Sequence, residues 1–466
     1  MFFMPRGTCF LIFICLILGW VISGCGKEFL DVKPNSDIIE PKSLKDFRNI
    51  LENPGNYQIS PCLPQLSSDE FYFLDKSGWQ SAYSAVERES YIWAKDVFGG
   101  EVNVADWNSP YQIIFYANSV LQGLNNLEDK THLEEYNFLK GWALFLRAYA
   151  YFNLVQSFSP AYDIATASTD MGVPLRLTPR IDKLQPRASV KECFDQIFAD
   201  LTLAIELLPD NYSTGNPNYP SRPAAYALGA RISLYQRNYS KAGSYADSSL
   251  MRYNYLIDYN TLSTSGRQPF TVRNPESLFS SAVTLGYSTI AVGISGVKVS
   301  IDTNLLKLYG NNDLRKLVFF QNGTYDNVTM KRGYFGSGLY PYTGLAVDEM
   351  YLIRAEALAR NGQKALAIQD LNTLLLKRYK SNTYQNIIAD TVSNTLSLVL
   401  QERRKELIWR GLRWGDLKRL NKEGANITLS RILGEDTYML PPNDPRYVFN
   451  IPQDEINLSG IAQNKR

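Results

Sequence analysis

The chain has 466 residues, 45% of them apolar, with 48 lysines and arginines against 46 aspartates and glutamates and a single histidine. This near-neutral balance excludes a nucleic-acid footprint, which needs a lasting basic excess, and one histidine argues against a histidine-based metal centre. Five cysteines, two of them in the first 24 residues, exclude a disulfide framework: beyond Cys25 only Cys62 and Cys193 remain, as one disulfide or as two buried thiols.

The chain opens with one charge, Arg6, then an unbroken apolar run from Cys9 to Ile22, then Ser23-Gly24-Cys25. The run falls short of the roughly 20 apolar residues that span a bilayer, so residues 1–24 read as a secretory signal. The Ser-Gly-Cys ending resembles a bacterial lipobox, which implies Cys25 as the lipid-modified first residue of the mature chain, held by several acyl chains.

Ser67 to Trp93 is a polar and aromatic stretch containing Asp69, Glu70, Tyr72, Asp75, Trp79, Tyr83 and Arg88. From Asp106 to Pro160 the apolar residues recur at helical spacing, with Trp107, Tyr111, Ile114, Asn118 and Leu121 on one face. Thr131-His132-Leu133-Glu134 predicts a capping box opening the next helix, with His132 as a surface residue at its start. Helical spacing returns from Ser189 to Tyr253 and from Ala346 to Leu420. Within these stretches Ala230, Ala242 and Ala246 are echoed by Ala355 and Ala367, the small-residue interval that lets antiparallel helices approach as in a tetratricopeptide hairpin. Between them, Tyr255 to Tyr342 is rich in Gly, Ser, Thr and Tyr and predicts loops and short strands, with Tyr334, Phe335, Tyr340 and Tyr342 as a second aromatic cluster.

The segment Glu402 to Arg419 places Glu402 and Glu406 on one helix face among arginines, so that charges pair along the helix, with Trp409, Leu412 and Trp414 around Gly411. It reads as architecture, without a poised acid in a cleft.

At many ordered positions this segment resembles the signature of the SusD/RagB family of outer-membrane nutrient-binding lipoproteins. Phe29-Leu30-Asp31, Arg147-Ala148-Tyr149, Ala355-Glu356-Ala357 and Ile451-Pro452-Gln453-Asp454-Glu455-Ile456 extend the resemblance across the chain, and Lys27-Glu28 looks like a short surface-export tag. Arg410, where the family has an acidic residue, Asn450 before Ile-Pro, and the ending Lys465-Arg466 depart from it. The resemblance implies a mainly α fold, a tetratricopeptide-like scaffold with irregular excursions forming a ligand face, divided as 25–230, 231–345 and 346–466. It further implies a surface-exposed, lipid-anchored protein of the cell outer membrane that captures an oligomeric nutrient and passes it to a SusC-like TonB-dependent β-barrel transporter. The ligand is a glycan, or a peptide as in the RagB branch; a helical scaffold without its own ligand is the other reading. No catalytic residue, metal or cofactor is expected, since no hydrolase motif is present. Sugar binding asks for flat aromatic faces and a few hydrogen-bonding groups. The family places ligand contacts in the stretch before the first long helix, which singles out Trp79 first and Tyr83 second, with Asp69, Glu70, Tyr72 and Arg88 beside them.

Overall fold

Capping residues set where the helices begin. In the computed structural model, which describes residues 41–53, 59–127, 131–211, 218–284, 287, 297–334, 336, 340–389 and 394–466, helix α1 (Leu44–Glu52) opens on a capping box of Ser43 and Asp46. The signal, Cys25, Lys27-Glu28, Phe29-Leu30-Asp31 and Phe335 lie outside the described residues. The chain divides after Lys42, and the unit described below runs from Ser43 to Arg466.

A first excursion holds β1 (Ile59–Ser60), α2 (Leu63–Ser67), β2 (Phe71–Phe73), α3 (Lys76–Gln80) and α4 (Ala85–Tyr91). Asp75 caps α3 and a Ser84–Glu87 capping box opens α4. The scaffold follows as α5 (Ala105–Asn125) and α6 (Leu133–Phe158). The expected face of α5 is inward, with Trp107, Tyr111, Ile114 and Asn118 buried.

The expected capping box before α6 does not form. His132 is the N-cap with no side-chain cap bond, which puts Glu134 one residue early for the box, and Glu135 at the third helical position instead accepts from Arg48 at 3.0 Å. His132 is exposed, as expected. From Gly141 to Phe158 every residue of α6 is buried. The charge inside that run, Arg147, is matched by Asp200 at 2.7 and 2.6 Å and by Asn118 at 2.8 Å, as a buried cation requires. Among the described residues no helix is long and apolar enough to cross a membrane.

The hairpin β3 (Met171–Pro174) and β4 (Arg187–Ser189) leads into α7 (Val190–Leu207), then α8 (Arg222–Tyr235) and α9 (Tyr239–Leu250). A second excursion carries β5 (Ser277–Phe279), β6 (Ala282–Val283), β7 (Val299–Ile301), α10 (Thr303–Leu306), α11 (Arg315–Phe319), β8 (Phe320–Asn322), β9 (Val328–Met330) and β10 (Leu345–Ala346). Its strands form two-stranded pieces, and two of them reach the first excursion: β6 runs parallel to β1, and β7 pairs antiparallel with β2. The chain then returns through α12 (Val347–Arg360), α13 (Lys364–Leu375), α14 (Thr395–Glu406) and α15 (Arg413–Asn421) to the hairpin β11 (Leu429–Leu433) and β12 (Asp436–Leu440) and α16 (Gln453–Ser459).

Helices pack in succession, α5 on α6, α6 on α7, α8 on α9, α9 on α12 and α12 on α13. Ala230, Ala242, Ala246, Ala355 and Ala367 are all fully buried, and the two hairpins they belong to stack directly through α9 and α12. The mainly α, tetratricopeptide-like scaffold with short-strand excursions is the fold of this protein. Cys62 and Cys193 are two buried free thiols.

Candidate functional site

The C-terminal signature positions the first excursion. Between α14 and α15 the chain turns through Trp409 at φ 61° and Gly411 at φ 68°, a left-handed pair in which only the glycine is free of side-chain strain. The Trp409 amide donates to Glu70 at 3.2 Å, the Gly411 amide to Gln65 at 3.1 Å, and the Trp409 ring meets Phe71 edge-on at 5.6 Å. Arg413 grips Asp69 with two bonds of 2.7 and 2.9 Å, joined by Arg404 at 3.2 Å. Burial alone would raise Asp69, yet the two guanidinium groups hold it well below the usual carboxylate range. Glu70, 2% exposed, is lifted by burial and by the charge of Asp69 to about 7, against the hydrogen bond from Gln65.

This corrects the expectation for Glu70, whose carboxylate is buried against the signature turn; Asp69, its side chain 19% exposed, is engaged by Arg413 and Arg404 at the same turn. In the second aromatic cluster Tyr334 and Tyr342 are buried, 4% and 2% exposed, and covered by Arg410, whose guanidinium lies 4.4 and 5.0 Å from their ring centres. Arg410, the departure from the family pattern, pairs with buried Asp348 at 2.8 Å. The charges of α14 also pair differently from the expectation. Glu402 and Glu406 reach across to Arg315 at 2.8 and 3.0 Å, and Glu406 to Arg378 at 2.6 Å; only Lys405 to Glu402 runs along the helix.

Tyr83 and Arg88 come together at an open cleft of about 650 Å³, whose wall also carries Ser84, Glu101, Asn103 and Tyr287. Tyr83, in the turn between α3 and α4, is 80% exposed, an unusual position for a large ring. Arg88 projects from α4 with one donor on the Ala82 carbonyl at 2.6 Å, leaving a guanidinium at the cleft wall. Trp79 is half-buried; its indole donates to the Arg88 carbonyl at 3.0 Å, so it braces α4 and is not part of the cleft wall. Tyr72 is half-buried on β2 opposite Ser300. Trp93, in the same stretch, is 1% exposed and donates to the Ser67 carbonyl.

The far walls are firm. Tyr287, 7% exposed, donates to Asp106 at 2.6 Å, and Asp106 also accepts the Leu63 amide at 2.9 Å, so the start of α5, the first excursion and the second are tied at one carboxylate. Burial raises both groups, which keeps the phenol a donor. Asn103 sits at φ 61° and is held by Asp454 on its amide and by Asn108 on its side-chain oxygen at 2.8 Å. Glu101 accepts the Ala85 amide at 3.1 Å at the start of α4. Sequence reasoning missed Glu101, Asn103 and Tyr287. The signal for the first two was Gly99-Gly100, both at positive φ, which marks a shaped loop; Tyr287 carried none, since only the fold brings it to Asp106.

An exposed ring beside a guanidinium, a carboxylate, a hydroxyl and an amide is a set of groups able to stack on and hydrogen-bond a polar ligand with flat faces. Two family models match the chain, one described as "Starch-binding associating with outer membrane" over residues 28–234 and one described as "SusD family" over residues 327–465. The chain belongs to the SusD/RagB family, whose members are nutrient-binding proteins associated with the outer membrane. Among its relatives is SusD-like protein P2 of Formosa agariphila, 24% identical over 68% of this chain and 71% of that one. The fold is similar to that of a SusD superfamily protein from Bacteroides thetaiotaomicron, with a TM-score of 0.73 and 22% identity over 91% of this chain and all of the other. It is also similar to a SusD-like carbohydrate binding protein from Bacteroides vulgatus, with a TM-score of 0.67 and 22% identity over 90% and 97% of the two chains.

Proposed function

We propose that this protein is a surface-exposed lipoprotein, anchored through Cys25, that captures a glycan in the cleft around Tyr83 and delivers it to a SusC-like TonB-dependent transporter. The observation that carries the glycan reading is the 80% exposed ring of Tyr83 at a wall shared with Arg88, Glu101 and Asn103. A sugar ring stacks its C–H face on such a ring and bonds its hydroxyls to the flanking groups. The carbohydrate-binding name of the Bacteroides vulgatus neighbour supports the same reading. Among the described residues of the wall Glu101 is the one carboxylate, and glycoside hydrolysis asks for two.

The test is a binding screen of the protein against polysaccharides and oligopeptides, with Tyr83→Ala and Trp79→Ala alongside. A glycan hit weakened about five- to tenfold by Tyr83→Ala is expected, the worth of one stacked ring, with a smaller effect of Trp79→Ala acting through α4. A peptide hit moves the protein to the RagB-like reading. Silence on both classes, with capture of the transporter retained, leaves the scaffold reading.

A further inference from the structure

Lys418 is 3% exposed on α15, and its ammonium donates to the carbonyls of Gln156 and Ser159 at 2.7 and 2.8 Å. Those carbonyls end α6, and a helix C-terminus supplies roughly half a negative charge. Among the described residues no carboxylate lies within ion-pair distance of this ammonium, whereas of the buried arginines of α14 and α15 Arg403 has one and Arg419 two. An ammonium has three donors, and the two carbonyls use two of them.

Lys418 also lines a cavity of about 370 Å³ that shares no residue with the Tyr83 cleft. One turn further, immediately after α15, Lys422 lines the same cavity and pairs with Asp163 at 3.7 Å. Two aspartates are on the wall: Asp444 is paired with Arg446 at 2.9 Å, and Asp170 accepts from the Thr166 hydroxyl at 2.6 Å. The remaining wall is mixed, with Pro160, Ala161, Met171 and Val448 apolar and with Lys465 and three asparagines polar.

We propose that this cavity is a second binding site, for a carboxylate carried on a small apolar body, with Lys418 as its anchoring cation and Lys422 as its outer one. The apolar walls take the body, and the carboxylate completes the third donor of Lys418. Burial alone depresses Lys418 to about 7, and an anion seated there restores its charge. The carboxylate is either that of a free aliphatic acid or the C-terminus of a peptide, since both present the same group on an apolar stem.

Calorimetric titration of the protein, purified in detergent as its host processes it, with hexanoate and with hexanamide separates charge from bulk. Hexanoate is expected to bind about tenfold or more tightly than the amide, the worth of a charge-assisted bond. Met171→Trp fills the cavity without touching Lys418 and is expected to abolish binding with an unchanged melting temperature. Lys418→Met is expected to reduce the preference for acid over amide several-fold, Lys422 holding the remainder. Equal affinity for acid and amide in the unaltered protein, no heat with hexanoate, or hexanoate binding untouched by Met171→Trp would each overturn the proposal. Titration with alanyl-alanyl-leucine identifies the source: tighter binding than hexanoate, lost on amidation of its C-terminus, assigns the site to a peptide terminus, and the reverse order assigns it to a free acid.

Discussion

Glu70 sits as a buried carboxyl between Gln65 and the Trp409 amide, and its protonation is linked to folding. Its value in the folded protein, about 7, lies above the ordinary 4.5. A raised carboxyl binds its proton more tightly when folded, so its contribution is fully present below about 4.5 and is lost as pH rises through about 7. The shift corresponds to about 3 kcal/mol. Urea midpoints measured between pH 5 and 8 are expected to fall with pH more steeply in the unaltered protein than in Glu70→Gln; equal slopes would show that Glu70 does not titrate in this range. Glu276, also raised by burial, works in the same direction and is common to both proteins. Neither Glu70 nor Asp69 could be read correctly from local sequence, because Arg413 and Trp409 stand 344 and 339 residues away. Two acids followed by aromatics look like a polar binding edge until the far end of the chain is placed against them.

At the level of elements, the scaffold was legible because its signal is local. Ala230, Ala242, Ala355 and Ala367 stand at intervals that only close helix pairs need, and all four are fully buried. Ala242→Leu is therefore expected to lower stability by about 1–3 kcal/mol through overpacking, read as a shift in urea midpoint at constant slope. The charge lattice beneath α14 was half legible: the acids of the signature were visible, but their partners Arg315 and Arg378 come from the second excursion and from the segment after α13. Arg315 is wholly buried among Asp313, Glu402 and Glu406. Its replacement by Met takes one cation from three carboxylates and leaves them Lys405 and Arg378 alone, and is expected to cost about 3–5 kcal/mol. A loss under about 1 kcal/mol would mean that water or protonation relieves them. The cleft was legible in Tyr83 and Arg88, which lie five residues apart across the start of α4, and illegible in Tyr287, which arrives from the second excursion.

For the molecule as a whole, the family and the helical scaffold place a binding protein at the outer membrane, and the proposed attachment point is the lipid on Cys25. Cys25→Ala is expected to move the protein from the membrane pellet to the soluble fraction while leaving ligand affinity in solution unchanged; a pelleted variant would point to attachment by another route.

The grip of Trp409, Gly411 and Arg413 on residues 65 to 70 has a further consequence, one of timing. A contact spanning 344 residues is among the slowest to form, since closing so long a loop precedes any reward from it. Tyr83 and Arg88 lie early in the chain, yet the backbone that aims them is held by its last stretch. A premature stop after α13 is therefore expected to disable the cleft while every residue of its wall is still present.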